Sequence, residues 1–525
     1  MKIEILINQI LFIALCVGAL FINYNGFTDE YIVPKWLTSL FFGTIIAITL
    51  SIQTLYHCSI HRTWNINYLI ATILIICTTQ ASYGILQYIN VFKNNSMIGL
   101  IGSFDNPAGF ASCLCISLPL GFNLFVRNNI AIKCCIILMS IIIIFAILLS
   151  QSRTGIITII SILCIIIYYK IHISPFAKVA CVILPIILII SLYPIKKGSA
   201  DGRLLIWQCS MEMVKDKPIL GHGVHGFKSK YMNYQADYFK KNPHSKYTIL
   251  ADNVSHPFNE YIFFLVNYGI VGLTLLIIVA TYFYICYHKN QTTLNFSCLI
   301  SLLAIAIFSF FSYPFRYPFT WIILLLNAYI LSIKHLQSLK NRVFIVCMAF
   351  CLLITSTVSI CHIYMHFYAE KRWNNITQSN KRFNDTKIIL KYKELLPILG
   401  NDPYFLYNYA TELNYLKKYS ESNFIIKRCT KLYNDYDIQL LISDNYFKLH
   451  NVNMAKYSFW QAYSMCPNRF IPLYKLLKIE SSCNKGDAMN LALMIIKKKE
   501  KIPSFTIDCI KKEAIIYILN NKLKK

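Results

Sequence analysis

Arginine suits a phosphate because its planar guanidinium offers paired N–H donors to two oxygens at once. Histidine suits proton abstraction near neutral pH. Three arginines and one histidine stand out here by position. Arg153 lies in Ser152-Arg-Thr-Gly155, a tight turn between two apolar runs. Arg203 lies in Asp201-Gly-Arg-Leu-Leu-Ile-Trp207, and Arg316 in Tyr313-Pro-Phe-Arg-Tyr-Pro318. His256 begins His256-Pro-Phe-Asn-Glu260-Tyr261, where a long polar stretch re-enters an apolar run. Glu260 follows one helical turn later, and either orients the His256 ring or is itself the base. Together these residue types fit a transfer in which a diphosphate departs and a hydroxyl gives up its proton.

Each residue also has a plainer reading. An arginine at bilayer depth is costly without a partner, and no acid lies close to Arg153 in sequence; it either takes an anion from outside the chain or snorkels to lipid headgroups. Arg203 either binds an anion or pairs with Asp201 or Glu212; the apolar spacing of 203–215 predicts a short helix ended by Pro218, with the glycines of Gly221-His-Gly223 making a tight turn after it. Arg316 is a third and weaker cation. Asn259 and Glu260 also fit as first-turn residues favoured by the helix dipole. Asn106-Pro107, within Gly102-Ser-Phe-Asp-Asn-Pro-Ala-Gly109, reads as a helix start with Asn as cap and Pro in the first turn. Such an end is either a simple cap or a site for an anion.

No metal is expected. His222, His225, His244 and His256 share one stretch, but their spacing matches no zinc site. The 19 cysteines form no CxxC pair and sit mostly in apolar runs, which marks them as small packing residues. No cofactor is expected either, since no P-loop occurs.

The elements that must position these residues are membrane spans. Of the 525 residues 56% are hydrophobic and 14% charged, which is far from a soluble globular composition. Crossing ~30 Å of hydrocarbon takes about 20 apolar residues. Stretches of that kind lie near 5–23, 36–56, 67–89, 107–126, 131–150, 155–170, 178–194, 258–286, 295–312, 317–334 and 343–365, the eighth long enough to tilt. The fold class is therefore all-α: a polytopic bundle of about eleven transmembrane helices. The first apolar run lacks a small-x-small cleavage site and reads as an uncleaved span. With the N-terminus in the cytoplasm, inner loops carry Arg62, Arg127, Lys133, Lys170, Lys289, Lys334, Lys340 and Arg342. Outer loops carry only Lys35, Lys93, Arg153 and Arg316. This is the positive-inside bias. It puts the longest loop, 195–257, and the C-terminal tail outside. Long loops in compact proteins are usually functional. Two domains are expected: 1–365, spanning the membrane with the large outer loop, and 366–525, a soluble helical tail.

In order, the chain presents Gly-x-Phe-x-Asn-Pro, Ser-Arg-x-Gly and a long outer loop with Arg…Trp…Asp-x-Pro-Ile-Leu-Gly-x-Gly. A His/Asn-Glu-Tyr re-entry and Gly269-Ile-Val-Gly272 follow. Over roughly residues 70 to 340 this resembles the bacterial O-antigen ligase and polymerase superfamily, which includes protein O-oligosaccharyltransferases. The resemblance implies a glycosyltransferase of the bacterial inner membrane, multi-pass, with its tail in the periplasm. The donor it implies is a glycan on undecaprenyl diphosphate. The acceptor is a hydroxyl of lipid A core, of a glycan chain or of a protein. By the same resemblance Arg153 and Arg203 match the diphosphate-binding arginines and His256 the catalytic loop histidine. One departure is that Pro257 and Phe258 separate His256 from Asn259, where many members have His directly before Asn.

The tail repeats at about 33 residues. Leu416-Lys-Lys-Tyr-Ser-Glu-Ser422 aligns with Leu449-His-Asn-Val-Asn-Met-Ala455, and a third copy places Ala488 opposite Ala455. This resembles tetratricopeptide repeats, helix pairs that stack into a binding surface for a protein partner or the acceptor. Residues 366–525 carry a net charge of +13, which fits anionic lipid, acidic glycan or a solvated face. Nucleic acid is not expected, since no aromatic-basic RNA motif occurs. The competing class, a multi-pass transporter, calls for broken mid-span helices with ionisable groups at the bilayer centre, and few charges fall within these spans.

Overall fold

The computed structural model describes residues 2–57, 64–92, 99–194, 197–337, 342–378 and 387–522. Arg62, Lys93, Lys340 and the loop's first residue, position 195, lie outside them. Every regular element among the described residues is a helix. Each of the eleven apolar stretches becomes helical. Nine are long and apolar enough to span a membrane; Thr293–Ser309 and Pro318–Ile333 are shorter apolar helices.

The chain forms two compact units, described here separately. The first comprises Met1–Ile195, Phe258–Glu260 and Leu275–Gln378. Its core gathers Ile70, Ile73, Phe110, Leu114, Ile147 and Phe308, drawn from several helices. Cys77, Cys113, Cys115 and Cys298 are buried in the same core and act as small apolar packing residues. The helix Pro175–Leu192 packs on Arg153–Lys170 but fully buries none of its residues, which leaves most of its apolar surface for lipid. The last apolar stretch does not stop near 365. It continues as one helix, Arg342–Gln378, which packs against Ile32–His57.

The second unit comprises Lys196–Pro257, Tyr261–Thr274 and Ser379–Lys525, so the long loop groups with the tail. The loop carries two helices, Lys197–Asp216 and Gly226–Lys241. The tail stacks antiparallel helix pairs: Pro403–Tyr415 with Tyr419–Leu432, Tyr436–Lys448 with Val452–Met465, and Ile471–Cys483 with Lys485–Lys497. In the first two pairs a left-handed residue joins the helices at equivalent places, Lys417 at φ 61° and His450 at φ 59°. Ser422, Ala455 and Ala488 are fully buried. A small side chain there lets paired helices approach closely.

The helix Glu260–Lys289 was expected to tilt because of its length. It is instead broken at Gly269, which has φ 62° and ψ −160°. A break frees backbone groups that need new partners. Pro218–Gly223 supplies them. Ile270 N–H donates to Pro218 O at 2.8 Å and Val271 N–H to Ile219 O at 3.2 Å. In return His222 and Gly223 N–H donate to Val266 O and Asn267 O, both at 2.8 Å. The glycines that read as a tight turn thus permit a backbone-to-backbone contact. A Cβ on Gly269 would stand 2.2 Å from Ile219 O, and one on Gly221 2.5 Å from Asn267 C. No charged residue lies between Val266 and Leu276, so the break carries no formal charge.

Replacing Gly269 by Ala adds a left-handed conformation costing about 1–2 kcal/mol for an L-residue, besides the clash. Thermal unfolding in detergent should show a clear drop in midpoint. Gly202→Ala, in a helix with nothing within 4 Å of the new methyl, should show none.

Candidate functional site

Ser152 caps the helix Arg153–Lys170, its hydroxyl accepting from Gly155 N–H at 3.3 Å. Gly155 leaves room for close packing, since a Cβ there would lie 2.9 Å from Ile147 and 3.1 Å from Ala111. The Ser-Arg-x-Gly sequence therefore fixes Arg153 at the first position of a tightly packed helix. Its Nη1 donates to Leu192 O at 3.2 Å, at the C-terminus of Pro175–Leu192. There the guanidinium meets the negative end of a helix dipole.

Asn106 caps the helix Pro107–Ser117 as its sequence suggests, accepting from Gly109 N–H at 2.8 Å. Its amide is also engaged, donating to Asp105 Oδ1 at 3.0 Å and to the Tyr317 hydroxyl at 2.8 Å. Tyr317 in turn donates to Asp105 at 2.8 Å. Arg316 Nη2 lies 3.4 Å from the other Asp105 oxygen, and its guanidinium sits 5.8 Å from the centre of the Tyr313 ring. Burial works against the Arg316 charge, but Asp105 and the neighbouring tyrosines outweigh it and raise its pKa. Arg316 is thus a cation with a built-in counterion. The sequence treated it as a lone cation and did not single out Asp105, whose partners lie some two hundred residues away.

The same turn receives Glu260. Its carboxyl lies near the Phe315 backbone, while Phe258, at φ 54°, sets its ring 5.4 Å from that of Tyr313. Trp36 Nε1 donates to Arg316 O at 2.9 Å. Lys35, which read as an outer-loop cation, is fully buried. It donates to Ile22 O at 3.2 Å, to Ser103 O at 2.8 Å and to Asn23 Oδ1. Lys35 therefore anchors the Gly102–Asn106 loop. Arg153, Glu260 and Arg316 all belong to the first unit.

Arg203 and His256 belong to the second. Arg203 lies half-buried in the helix Lys197–Asp216, longer at its start than the 203–215 expected from sequence. Of the two acids proposed as its partner, Glu212 pairs with Lys215 at 2.7 Å. One turn after Arg203, Trp207 Nε1 donates to Pro257 O at 2.8 Å. That bond ties the helix bearing Arg203 to the residue beside His256. His256 itself is half-buried, its ring centre 5.7 Å from that of Phe263. His222 serves the fold instead, its Nε2 meeting Met213 O at 2.8 Å next to the glycine contact with the broken helix.

Residues 138–277 match the family model described as O-antigen ligase, which places this stretch in the O-antigen ligase superfamily. The matched stretch contains Arg153, Arg203, His256 and Glu260. It excludes Asp105, Arg316 and the tail. No curated protein matches the chain. With nine helices among the described residues long and apolar enough to cross a membrane, the chain is a multi-pass membrane protein whose stretch 138–277 is similar to O-antigen ligases.

Asp105 and Arg316 should be energetically coupled. A double-mutant cycle of Asp105→Ala and Arg316→Ala, read by detergent unfolding, should give about 1 kcal/mol of interaction. Additive effects would mean the pair is not a unit.

Proposed function

We propose that this chain transfers a glycan from undecaprenyl diphosphate to an acceptor hydroxyl at the periplasmic face of the inner membrane. His256 takes the hydroxyl proton as the acceptor oxygen bonds to the sugar carbon. The bond from that carbon to the phosphate oxygen breaks, and the lipid diphosphate leaves with the electron pair. Arg153 and Arg203 neutralise the charge that develops on it. The energy resides in the diphosphate linkage, so no nucleotide is needed. Arg316, already opposed by Asp105, is assigned a secondary part on the diphosphate. Glu260, one helical turn after His256 in sequence, is the second catalytic candidate, orienting the His256 ring or serving as the base itself. The tail stands in the periplasm in this reading. Acceptors of the proposed kind are lipid A core, as for a ligase, a growing glycan, as for a polymerase, or a protein hydroxyl. All three share the same bond-making step.

The observation that carries this reading is the family match across Arg153, Arg203 and His256. The Trp207–Pro257 hydrogen bond, which holds the Arg203 helix beside the histidine, supports it. The phosphate chemistry of guanidinium groups supports the roles of the arginines independently.

Arg153→Ala and His256→Ala, made separately in cells that assemble the lipid-linked glycan, should each accumulate that glycan. Transfer should fall at least about 100-fold for the histidine variant, the usual scale for losing a general base. Arg153→Lys, which keeps the charge but not the fork, should recover only part of the loss. Full transfer in both alanine variants would contradict the assignment.

A further inference from the structure

The segment that leads to His256 has no helix of its own. After the short turn Thr248–Leu250, residues 251–257 run as irregular chain. Such a segment must find partners for its backbone polar groups elsewhere, and the C-terminal tail provides them. Asn468 Nδ2 donates to both Ile249 O and Ala251 O, at 2.9 and 2.7 Å. Gln235, fully buried, donates to Asp252 O at 3.2 Å and to Met465 O at 2.8 Å. The Asn253 side chain is held from both sides: its Nδ2 donates to Asp437 at 2.8 Å, and its Oδ1 accepts from Tyr436 N–H at 3.2 Å.

Charge reinforces the same contact. The Asp252 carboxylate meets Arg469 Nη2 at 2.8 Å and Lys501 Nζ at 3.1 Å. The Arg469 guanidinium lies 4.3 Å from the centre of the Tyr436 ring, and its other nitrogen is 3.6 Å from Asp437. Lys498 donates to Arg469 O at 2.7 Å, steadying the backbone at that point. Beyond His256, the next fixed point is Pro257 O, held by Trp207. His256 thus sits on a short span pinned on one side by the tail and on the other by the helix bearing Arg203. All of these groups lie within the second unit.

We propose that the C-terminal helical repeats act as a clamp that positions the segment bearing His256, with Asn468 and Arg469 as positioning residues. The inference rests on the reading of His256 as the base. A base displaced by about 1 Å loses about 100-fold in rate, so the geometry of this segment controls turnover. Tyr436, Asp437, Met465, Asn468 and Arg469 of the tail are contacted by the chain's own loop.

The test uses the full chain carrying Asn468→Ala, Arg469→Ala or Arg469→Lys. Hydrogen–deuterium exchange of the purified protein is read beside glycan transfer in cells at matched membrane levels. In both alanine variants, exchange over 249–256 should rise about tenfold or more while Val266–Gly272 is unchanged, and transfer should fall about tenfold or more. Arg469→Lys, which still reaches Asp252, should bring both readings back to within a few-fold of the parent chain. Should the alanine variants not accumulate, Asp252→Asn weakens the two ion pairs at an exposed position and should shift both readings in the same direction. Faster exchange with intact transfer, or unchanged exchange, would overturn the clamp. His256→Ala run in parallel separates the two claims. If it abolishes transfer while Asn468→Ala and Arg469→Ala do not, only the clamp fails. If it transfers normally, the base assignment fails instead.

Discussion

A helix that breaks beside a membrane must find partners for the amide and carbonyl groups it releases, because hydrocarbon offers none and each orphan costs several kcal/mol. The break at Gly269 meets this demand with four backbone hydrogen bonds to Pro218–Gly223. Much follows from that exchange. It requires glycine at 269 and 221, where any side chain would collide with backbone. It also fixes the chain that leaves the Arg203 helix against the apolar run that begins just after His256. Phe227 N–H then bonds Asn267 Oδ1 at 2.9 Å, setting the start of the next loop helix, Gly226–Lys241.

That next helix carries Gln235, and through it the loop is joined to the tail. The long polar segment between two spans is therefore structured at both ends by contacts of different kinds. Near Gly269 the contact is backbone on backbone, insensitive to side-chain identity except for the glycines. At Asp252 and Asn253 it is side-chain amides and ion pairs from tail residues roughly two hundred positions later, most of them in the connections between helices. In the first unit, polar groups are matched in the same way. Asp105, Asn106, Arg316 and Tyr317 satisfy one another, and Lys35 directs its charge at two carbonyls and an asparagine.

Much of the fold was legible because hydropathy and periodicity are local. All eleven apolar stretches are helical, Asn106 caps where its position suggests, and the repeat in the tail shows in Lys417 and His450 as paired left-handed turns. What the sequence concealed was long-range. The length of 258–286 suggested tilt, because nothing in a single run reveals that Gly269 faces another stretch of backbone. The Asp-x-Pro-Ile-Leu-Gly-x-Gly motif looked like a turn for the same reason. Arg316 looked like an open cation because Asp105 is far away in sequence. Lys35 looked like a loop charge, although a lysine entering a span next to Trp36 could have signalled a buried anchor. The grouping of loop with tail left no mark in composition, since it depends on amides and ion pairs spread over 228–253 and 434–501.

The central claim is that Arg153 and Arg203 receive a lipid diphosphate while His256 takes the acceptor proton. Its most direct test is photo-crosslinking of the membrane-embedded protein with undecaprenyl diphosphate bearing a diazirine next to the diphosphate, followed by peptide mapping. Adducts are predicted around Ser152–Gly155 and on the helix Lys197–Asp216, with competition by unlabelled undecaprenyl diphosphate. Competable adducts confined to another surface, such as the apolar groove formed by Leu37, Phe41, Ile360 and Tyr364, would contradict it.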